Sequence, residues 1–483
     1  MENLKVIDTD NHKKHGENRC PKCNASDVTL NIKKGKLVCN YCGHEFDPKE
    51  AEGIEKEAKN IKGEVHGSGT KDIKDENDVI TLKCGGCGAE VVINTKESNN
   101  ARCHWCRSIL SINSQIDNGS VPDLVLPFKI DKEEAQKKIG DFVDKRKFYA
   151  HPAFKKEFTT NNIMGVYFPY LLVDCNGHAT FAGDAGHVAR SYTKVVSKDK
   201  DGNEKKETFY DIDIYKIKRE FDIAIDDLQV ESSKDKLNKN RKDKTTNIIN
   251  SIMPFDTENT VKYESNYLVG FTSEKRDINI SSIDDKINQS LVDIARYSIN
   301  SDLKYYDAGV HWEQEQLDIK GRQVVSAYLP VWLYSYQDKK KILHYVAVNA
   351  RTGETMGSIP MNKVRLLILT ISIFLAFILL PFIVLLILKG NLEMYPSAIP
   401  AVWFCGVLGL IISLVVYFTT SSNYRNKGAR HHYESETKNE ITNLLKDDKK
   451  IRTDYEESFS FISGVNSNKI IGEYTNVKEE SKE

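Results

Sequence analysis

Eight of the ten cysteines in this 483-residue chain fall into four C-x-x-C pairs. Fifteen residues separate the pair Cys20 and Cys23 from the pair Cys39 and Cys42, and fifteen again separate Cys84 and Cys87 from Cys103 and Cys106. Two residues between cysteines let one tight turn aim two thiolates at a single ion. A fifteen-residue hairpin then brings the second turn back to close a tetrahedron, so each set of four reads as a zinc ribbon. Lys34-Gly35-Lys36 stands where the first hairpin reverses, and Gly43 and Gly88 follow cysteines where the backbone must turn sharply. Four thiolates leave no open coordination position, so the two expected zinc ions are structural. Zinc supplies roughly 10–16 kcal/mol to peptides of this size, which ties metal and fold together. A redox reading would need a βαβ unit beside one pair, and neither region supplies it. His44 and His104 are expected on the surface of the turns rather than as ligands.

A second group of reactive side chains is Cys175, His178, Asp184 and His187, in the segment DCNGHATFAGDAGH. A nucleophile–base pair or a metal site is one reading. The other is a run of turns and strand around Gly177, Gly183 and Gly186, since the spacing matches no known constellation. No Walker A loop, G-x-G-x-x-G, H-E-x-x-H or G-x-S-x-G motif is present, and the chain is expected not to be an enzyme.

These residues need elements to position them. Residues 1–18 read as a disordered tail, 19–46 as the first ribbon, 47–78 as a charged linker with one short helix, and 79–115 as the second ribbon. A duplicated α+β region follows, with modules at 121–230 and 255–362. In the first, Leu124–Ile130 reads as a strand, Asp131 as an N-cap with Glu134 three residues on, and the helix as ending near Lys147. Val166–Val173 and Ala179–Ala182 read as strands, Lys194–Lys206 as a charged loop, and Asp211–Ile225 as a long strand. In the second, Tyr267–Phe271 reads as a strand, Ser282–Tyr297 as a helix, and Ala327–Tyr334 as a strand echoing Val166–Val173 through a shared Tyr-x-Pro. His344–Asn349 and Arg351-Thr-Gly353 read as strand and turn.

Leu366–Leu388 is a run of 23 residues without a charge, and Ile399–Thr419 is a second apolar segment. At ~1.5 Å per residue the first covers ~34 Å, enough for a bilayer core of ~30 Å. Residues 363–420 are therefore expected to form a transmembrane hairpin, with Tyr395, Trp403 and Tyr417 near the interfaces. Lys363 and Arg365 precede it, Arg425, Lys427 and Arg430 follow it, and the connecting loop holds only Lys389. The positive-inside rule then places both termini in the cytoplasm. The first 60 residues carry no apolar run of the kind a secretory signal needs, and thiolate zinc sites fit a reducing compartment. Residues 421–483 read as a cytoplasmic tail with a short amphipathic helix at Glu440–Leu445.

The fold class expected is thus multidomain: two small β ribbons, a duplicated α+β cytoplasmic region and a two-span α-helical hairpin. With 68 basic and 69 acidic residues, the net charge of −1 exerts no global pull toward nucleic acid. Local basic edges exist: Arg19, Lys22, Lys33, Lys34 and Lys36 on ribbon one, and Arg102 and Arg107 with Trp105 on ribbon two.

The ribbons, the Leu-Pro-Phe strand with its helix, the Tyr-x-Pro strands, the Asn-x-x-Thr-Gly turn at Asn349–Gly353 and the C-terminal hairpin together resemble the TFIIB-type zinc-ribbon membrane proteins of Gram-positive bacteria. That group is associated with phage-shock-protein-A-like and SPFH proteins. The resemblance implies a membrane-anchored scaffold that recruits such partners in an envelope-stress response. Two ribbons rather than one set this chain apart from simpler members. A membrane-tethered nucleic-acid binder and a hydrolase using Cys175, His178 and His187 are the alternatives.

Overall fold

The computed structural model describes residues 5–7, 19–25, 27–49, 54, 57–70, 79–84, 89–94, 102–105, 107, 110, 115–116, 121–198, 204–233, 252–276, 278–337, 343–357, 359–387, 398–424 and 438–451. Three very long strands organise it. Met164–Lys198 lies in the centre, pairing antiparallel with Glu204–Glu231 on one side and with Gly309–Gln337 on the other. The sequence suggested shorter strands at Val166–Val173 and Ala179–Ala182. They are one strand, and Gly177 and Gly183 are places of close approach rather than turns. A Cβ on Gly183 would lie 2.1 Å from the carbonyl oxygen of His311 on the neighbouring strand. Strand also extends through Lys198 and resumes at Glu204, shortening the expected loop.

The segments 121–230 and 255–362 contribute to one sheet rather than standing as two bodies. Gly309–Gln337 of the second pairs with Met164–Lys198 of the first, and Val261–Lys262 pairs with Leu124–Val125. The two Tyr-x-Pro sequences face each other directly: Tyr167 opposes Pro330, Phe168 opposes Leu329, and Pro169 opposes Tyr328. Leu124–Ile130 forms a strand only at Leu124–Val125. Pro127 has no N–H to extend the ladder. The Asp131 cap is present, its side chain accepting from the Glu134 N–H, and the helix runs Lys132–Asp144. Tyr267–Phe271 is not a strand. Its first residues belong to a 3₁₀ turn, Ser265–Leu268, that drives Tyr267 and Leu268 into the core, and Gly270 at φ +83° reverses the chain into the strand Thr272–Glu274.

Side chains alternate across the sheet. Tyr167, Tyr328, Trp332 and Tyr334 face one layer, with the helix Lys132–Asp144 and ribbon one. Farther along this face the helix Ile280–Ser298 packs on Leu171, Val173 and Val324. Val166, Phe168, Tyr170, Leu329 and Val331 face the other layer, with the Cys84 and Cys103 region.

The expected linker is partly built into the sheet. Gly63–Gly67 pairs in parallel with Gly321–Val324, and Lys5–Ile7, from the expected tail, pairs in parallel with Gly63–Gly67. Ser68–Thr70 then closes on buried Asp123, which accepts from the Gly69 N–H at 2.7 Å and from the Ser326 N–H at 2.8 Å. Gly69 is required there, because a Cβ would meet the Val121 carbonyl at 2.4 Å. Arg276 completes the closure by donating to the carbonyls of Gly69 and Thr70.

Two helices, Lys363–Ile387 and Ala398–Tyr424, pack as a pair. Both are long and apolar enough to cross a membrane, with 18- and 19-residue windows of mean hydropathy 2.4 and 2.0. Ser413 Oγ donates to the Thr370 carbonyl at 2.8 Å between them, and Gly409 admits the side chain of Phe377. Beyond the pair the chain returns to the sheet. Lys438–Ile441 and Leu445–Ile451 both pair with the outer strand Glu204–Glu231. The helix expected at Glu440–Leu445 is absent, and the segment holds the end of one strand, a three-residue break and the start of the next. Its partner lies more than two hundred residues earlier, and the open edge of that partner decides the conformation. Arg425, Lys427 and Arg430 lie outside the described residues.

Candidate metal centre

Ribbon one is a separate three-stranded sheet of Val28–Asn31, Lys36–Cys39 and Glu45–Phe46. Its turns bring Cys20, Cys23, Cys39 and Cys42 together, all four sulfurs within 4.8 Å of one another. Cys20 Sγ lies 3.6 Å from Cys42 Sγ, and Cys23 Sγ lies 3.5 Å from Cys39 Sγ. Disulfides need ~2.05 Å, so these are not bonded pairs. Sulfurs ~2.3 Å from a common tetrahedral centre would stand ~3.8 Å apart, and this set fits that requirement closely.

The backbone explains the convergence. The Asn24 N–H donates to the Cys20 carbonyl at 2.8 Å, and the Gly43 N–H to the Cys39 carbonyl at 2.9 Å. Asn24 at φ +58° and Gly43 at φ +69° both take the left-handed conformation this reversal needs. Cys20 and Cys39 also donate their own N–H groups to the carbonyls of Ala25 and His44.

The thiols of Cys20 and Cys23 are shifted in opposite directions. Burial raises the Cys20 thiol, but the N–H groups of Cys23 and Lys22 and the neighbouring thiols outweigh it and bring it down to about 7. The Ala25 N–H favours the Cys23 thiolate, yet burial and the surrounding sulfurs push that thiol up to about 12. A dication bound among these sulfurs would favour the thiolate form of both.

Ribbon one is not a free bead. Asn266 Nδ2 donates to the Val28 carbonyl at 3.1 Å, and Val28, Leu37, Cys20 and Cys39 are buried in a core shared with Phe128, Ile139 and Tyr167. Three of its lysines pair with nearby carboxylates: Lys33 with Asp131 and Glu133, Lys34 with Glu45, and Lys36 with Asp47.

Cys87 and Cys106 lie outside the described residues, so the second set is seen through Cys84 and Cys103. Both are buried. The Cys84 N–H donates to the Ala89 carbonyl at 2.8 Å, five residues on, as Cys20 and Cys39 do. The Arg107 N–H donates to the Cys103 carbonyl at 2.8 Å, four residues on, and Arg107 has φ +63°. These are the bonds and the left-handed residue of the ribbon-one turns. Strands Val79–Lys83 and Glu90–Asn94 join the main sheet directly, Val92 opposing Ser273 of Thr272–Glu274.

His104 is not on the surface. It is 1% exposed, and its Nε2 lies 2.8 Å from Glu274 Oε2, with Thr272 Oγ1 3.4 Å from its Nδ1. Trp105 Nε1 donates to the same carboxylate oxygen at 2.9 Å, and Ser335 Oγ donates to the His104 carbonyl. Trp105 thus packs edge-on to Phe168 and Tyr345 instead of offering a face to solvent. Arg107 stacks over the Tyr334 ring.

The group Cys175, His178, Asp184 and His187 does not converge. Cys175 and His187 stand twelve residues apart on one extended strand, which at ~3.3 Å per residue is ~40 Å. Burial pushes the Cys175 thiol up to about 12. His178 Nδ1 meets Asp222 at 2.8 Å, and His187 Nδ1 meets the Tyr305 carbonyl. A different acidic group was not legible in the sequence. Asp174, Asp226 and Asp227 gather at a bulge between the long strands, where Asp174 accepts from the Asp227 N–H and Asp227 accepts from Thr257. Burial and the neighbouring Asp227 charge raise Asp174 well above the usual carboxylate range. Their local bonds brace the bulge.

No family model, curated protein or solved structure matches the chain.

Proposed function

We propose that the chain is a membrane-anchored zinc-ribbon scaffold, holding a non-enzymatic body against one membrane face to recruit protein partners there. The observation that carries this reading is the path of the chain around the apolar helix pair. It leaves the sheet after the strand Thr355–Gly357, passes an isolated bridge between Met361 and Ala150, and rejoins the sheet at Lys438. Only 11% of each apolar window is buried against the rest of the protein, so neither helix serves as a core for the body. A hairpin that crosses a bilayer twice returns the chain to its starting side, and the strands at both of its ends belong to one sheet. The charge bias of the flanks makes that side the cytoplasm.

The same body carries the zinc. Cys20, Cys23, Cys39 and Cys42 hold one ion, and the matching turns at Cys84 and Cys103 support a second, held with Cys87 and Cys106. Zinc here supplies fold rather than reaction chemistry, because four thiolates close its sphere. The full chain purified in detergent should contain two zinc equivalents; metal analysis finding one or none would contradict the second or both. By resemblance, the recruited partners are phage-shock-protein-A-like or SPFH proteins in an envelope-stress response. Crosslinking from native membranes tests this. Deleting residues 363–424 should release the captured partners from the membrane fraction together with the chain, and partners that stay behind would contradict recruitment.

A further inference from the structure

We propose that the segment Lys145–His151 is an interfacial anchor that lays the body onto anionic lipid headgroups, an inference that rests on the hairpin crossing the membrane. The segment is strapped to the residues that lead into the first apolar helix. The His151 N–H donates to the Pro360 carbonyl and the Asn362 N–H to the Tyr149 carbonyl, both at 2.7 Å, flanking the Ala150–Met361 bridge. The helix starts at Lys363, and its apolar side chains face outward at once: Val364, Leu367 and Ile368 are all more than half exposed. The strap therefore sits at the level where a bilayer's polar zone gives way to its apolar core.

Phe148 occupies that level. It is 54% exposed, with the Arg365 guanidinium 4.2 Å from its ring centroid and Tyr149 edge-on at 4.7 Å. A phenylalanine held open to solvent by a strapped backbone, one helical turn from the lipid-facing surface, suits the apolar boundary of a membrane. The charge around it is one-sided. Residues 141–157 and 363–365 hold Lys145, Arg146, Lys147, Lys155, Lys156, Lys363 and Arg365 against Asp141, Asp144 and Glu157, a net of +4. Lys145, Lys147, Lys363 and Arg365 are exposed. Asp144 pairs with Lys147 at 3.3 Å, and Arg146 bonds the Phe142 carbonyl, so Lys145, Lys363 and Arg365 are the main lipid-facing charges. Each basic residue near an anionic surface raises partitioning about five-fold. The ligand class is the anionic phospholipid headgroup, with Phe148 inserted beside it.

The test uses the full chain in vesicles of phosphatidylcholine alone or mixed with phosphatidylglycerol. Phe148→Trp adds a tryptophan whose signal is read as the difference from the parent chain. Brominated lipid should quench this added emission severalfold more in the mixed vesicles. In the same background, Lys145→Glu with Lys363→Glu should abolish the difference while zinc content is unchanged. Equal quenching in both vesicles overturns the anionic preference, and absence of quenching in both overturns the anchor. In either case, a chain that still resists alkaline extraction leaves the membrane hairpin standing. Alkaline release of the parent chain would overturn the hairpin and the anchor together.

Discussion

The four thiols of ribbon one are brought together by backbone geometry at two residues that need a left-handed conformation, Asn24 and Gly43. The C-x-x-C spacing made the ligands legible, because the motif is local and repeats. Their surroundings were less legible: Glu274, which grips both His104 and Trp105, lies 170 positions from His104. Replacing Cys39 with Ser should remove one zinc equivalent and leave the second, since the two ribbon regions pack on opposite faces of the sheet. Loss of both ions on metal analysis would show that the faces are coupled. Glu264 offers a pH test. It is 8% exposed, and burial raises its carboxyl to about 7 against the opposing pull of Lys49 and Lys262. A carboxyl raised in the folded state binds its proton more tightly than in the unfolded chain. Its neutral form is thus compatible with full stability below the unfolded value near ~4.3, and stability falls as pH rises toward 7. The full loss, reached above pH 7, is on the order of 3–4 kcal/mol. Glu264→Gln should flatten that dependence, read by hydrogen exchange of the neighbouring 3₁₀ turn between pH 5 and 8, as buffer conditions on the order of those bracketing the shift. An unchanged slope would show that Glu264 is not its source.

Elements with a local signature were read correctly from sequence. The capped helix at Lys132–Asp144 and the helix Ile280–Ser298 each carry a cap or an apolar period that needs no distant partner. Elements made by distant pairing were misread or shortened. Leu445–Ile451 is strand because Glu204–Glu231 offers it an edge, and Gly63–Gly67 is strand because Gly321–Val324 does. The sequence LKDDKKI has neither strand propensity nor apolar alternation to announce this. What holds it is Asp448, which meets Arg219, a side chain 1% exposed, and also the Tyr306 hydroxyl. Asp448→Ala would leave that guanidinium buried with only the Lys218 carbonyl, at a cost of about 2 kcal/mol, below the range for a fully buried pair because Asp448 is partly exposed. Hydrogen exchange should then show Leu445–Ile451 opening while the ladder between Met164–Lys198 and Gly309–Gln337 stays protected. Unchanged protection would mean the backbone ladder alone retains the strand.

At the scale of the whole molecule, the expected string of separate units becomes one sheet clasped from both faces, with the apolar helix pair inserted as an excursion between two of its strands. The pair of long apolar helices was legible because its length and lack of charge are continuous in the sequence. The interleaving of 121–230 with 255–362 was not, because strand order is set by pairing rather than by position along the chain. The two Tyr-x-Pro sequences that suggested duplication lie opposite each other in one antiparallel pair. The central claim, that this excursion crosses the membrane and returns, is tested most directly by thiol accessibility in intact cells. Cys175 and Cys405 are first replaced, and a single cysteine is then placed at Asn391, between the helices, or at Lys446, on the returning strand. A membrane-impermeant reagent should label the Asn391 position and spare Lys446 until the cells are permeabilised. Labelling of both positions, or of neither, in intact cells would place the body and the loop on the same side and contradict the account.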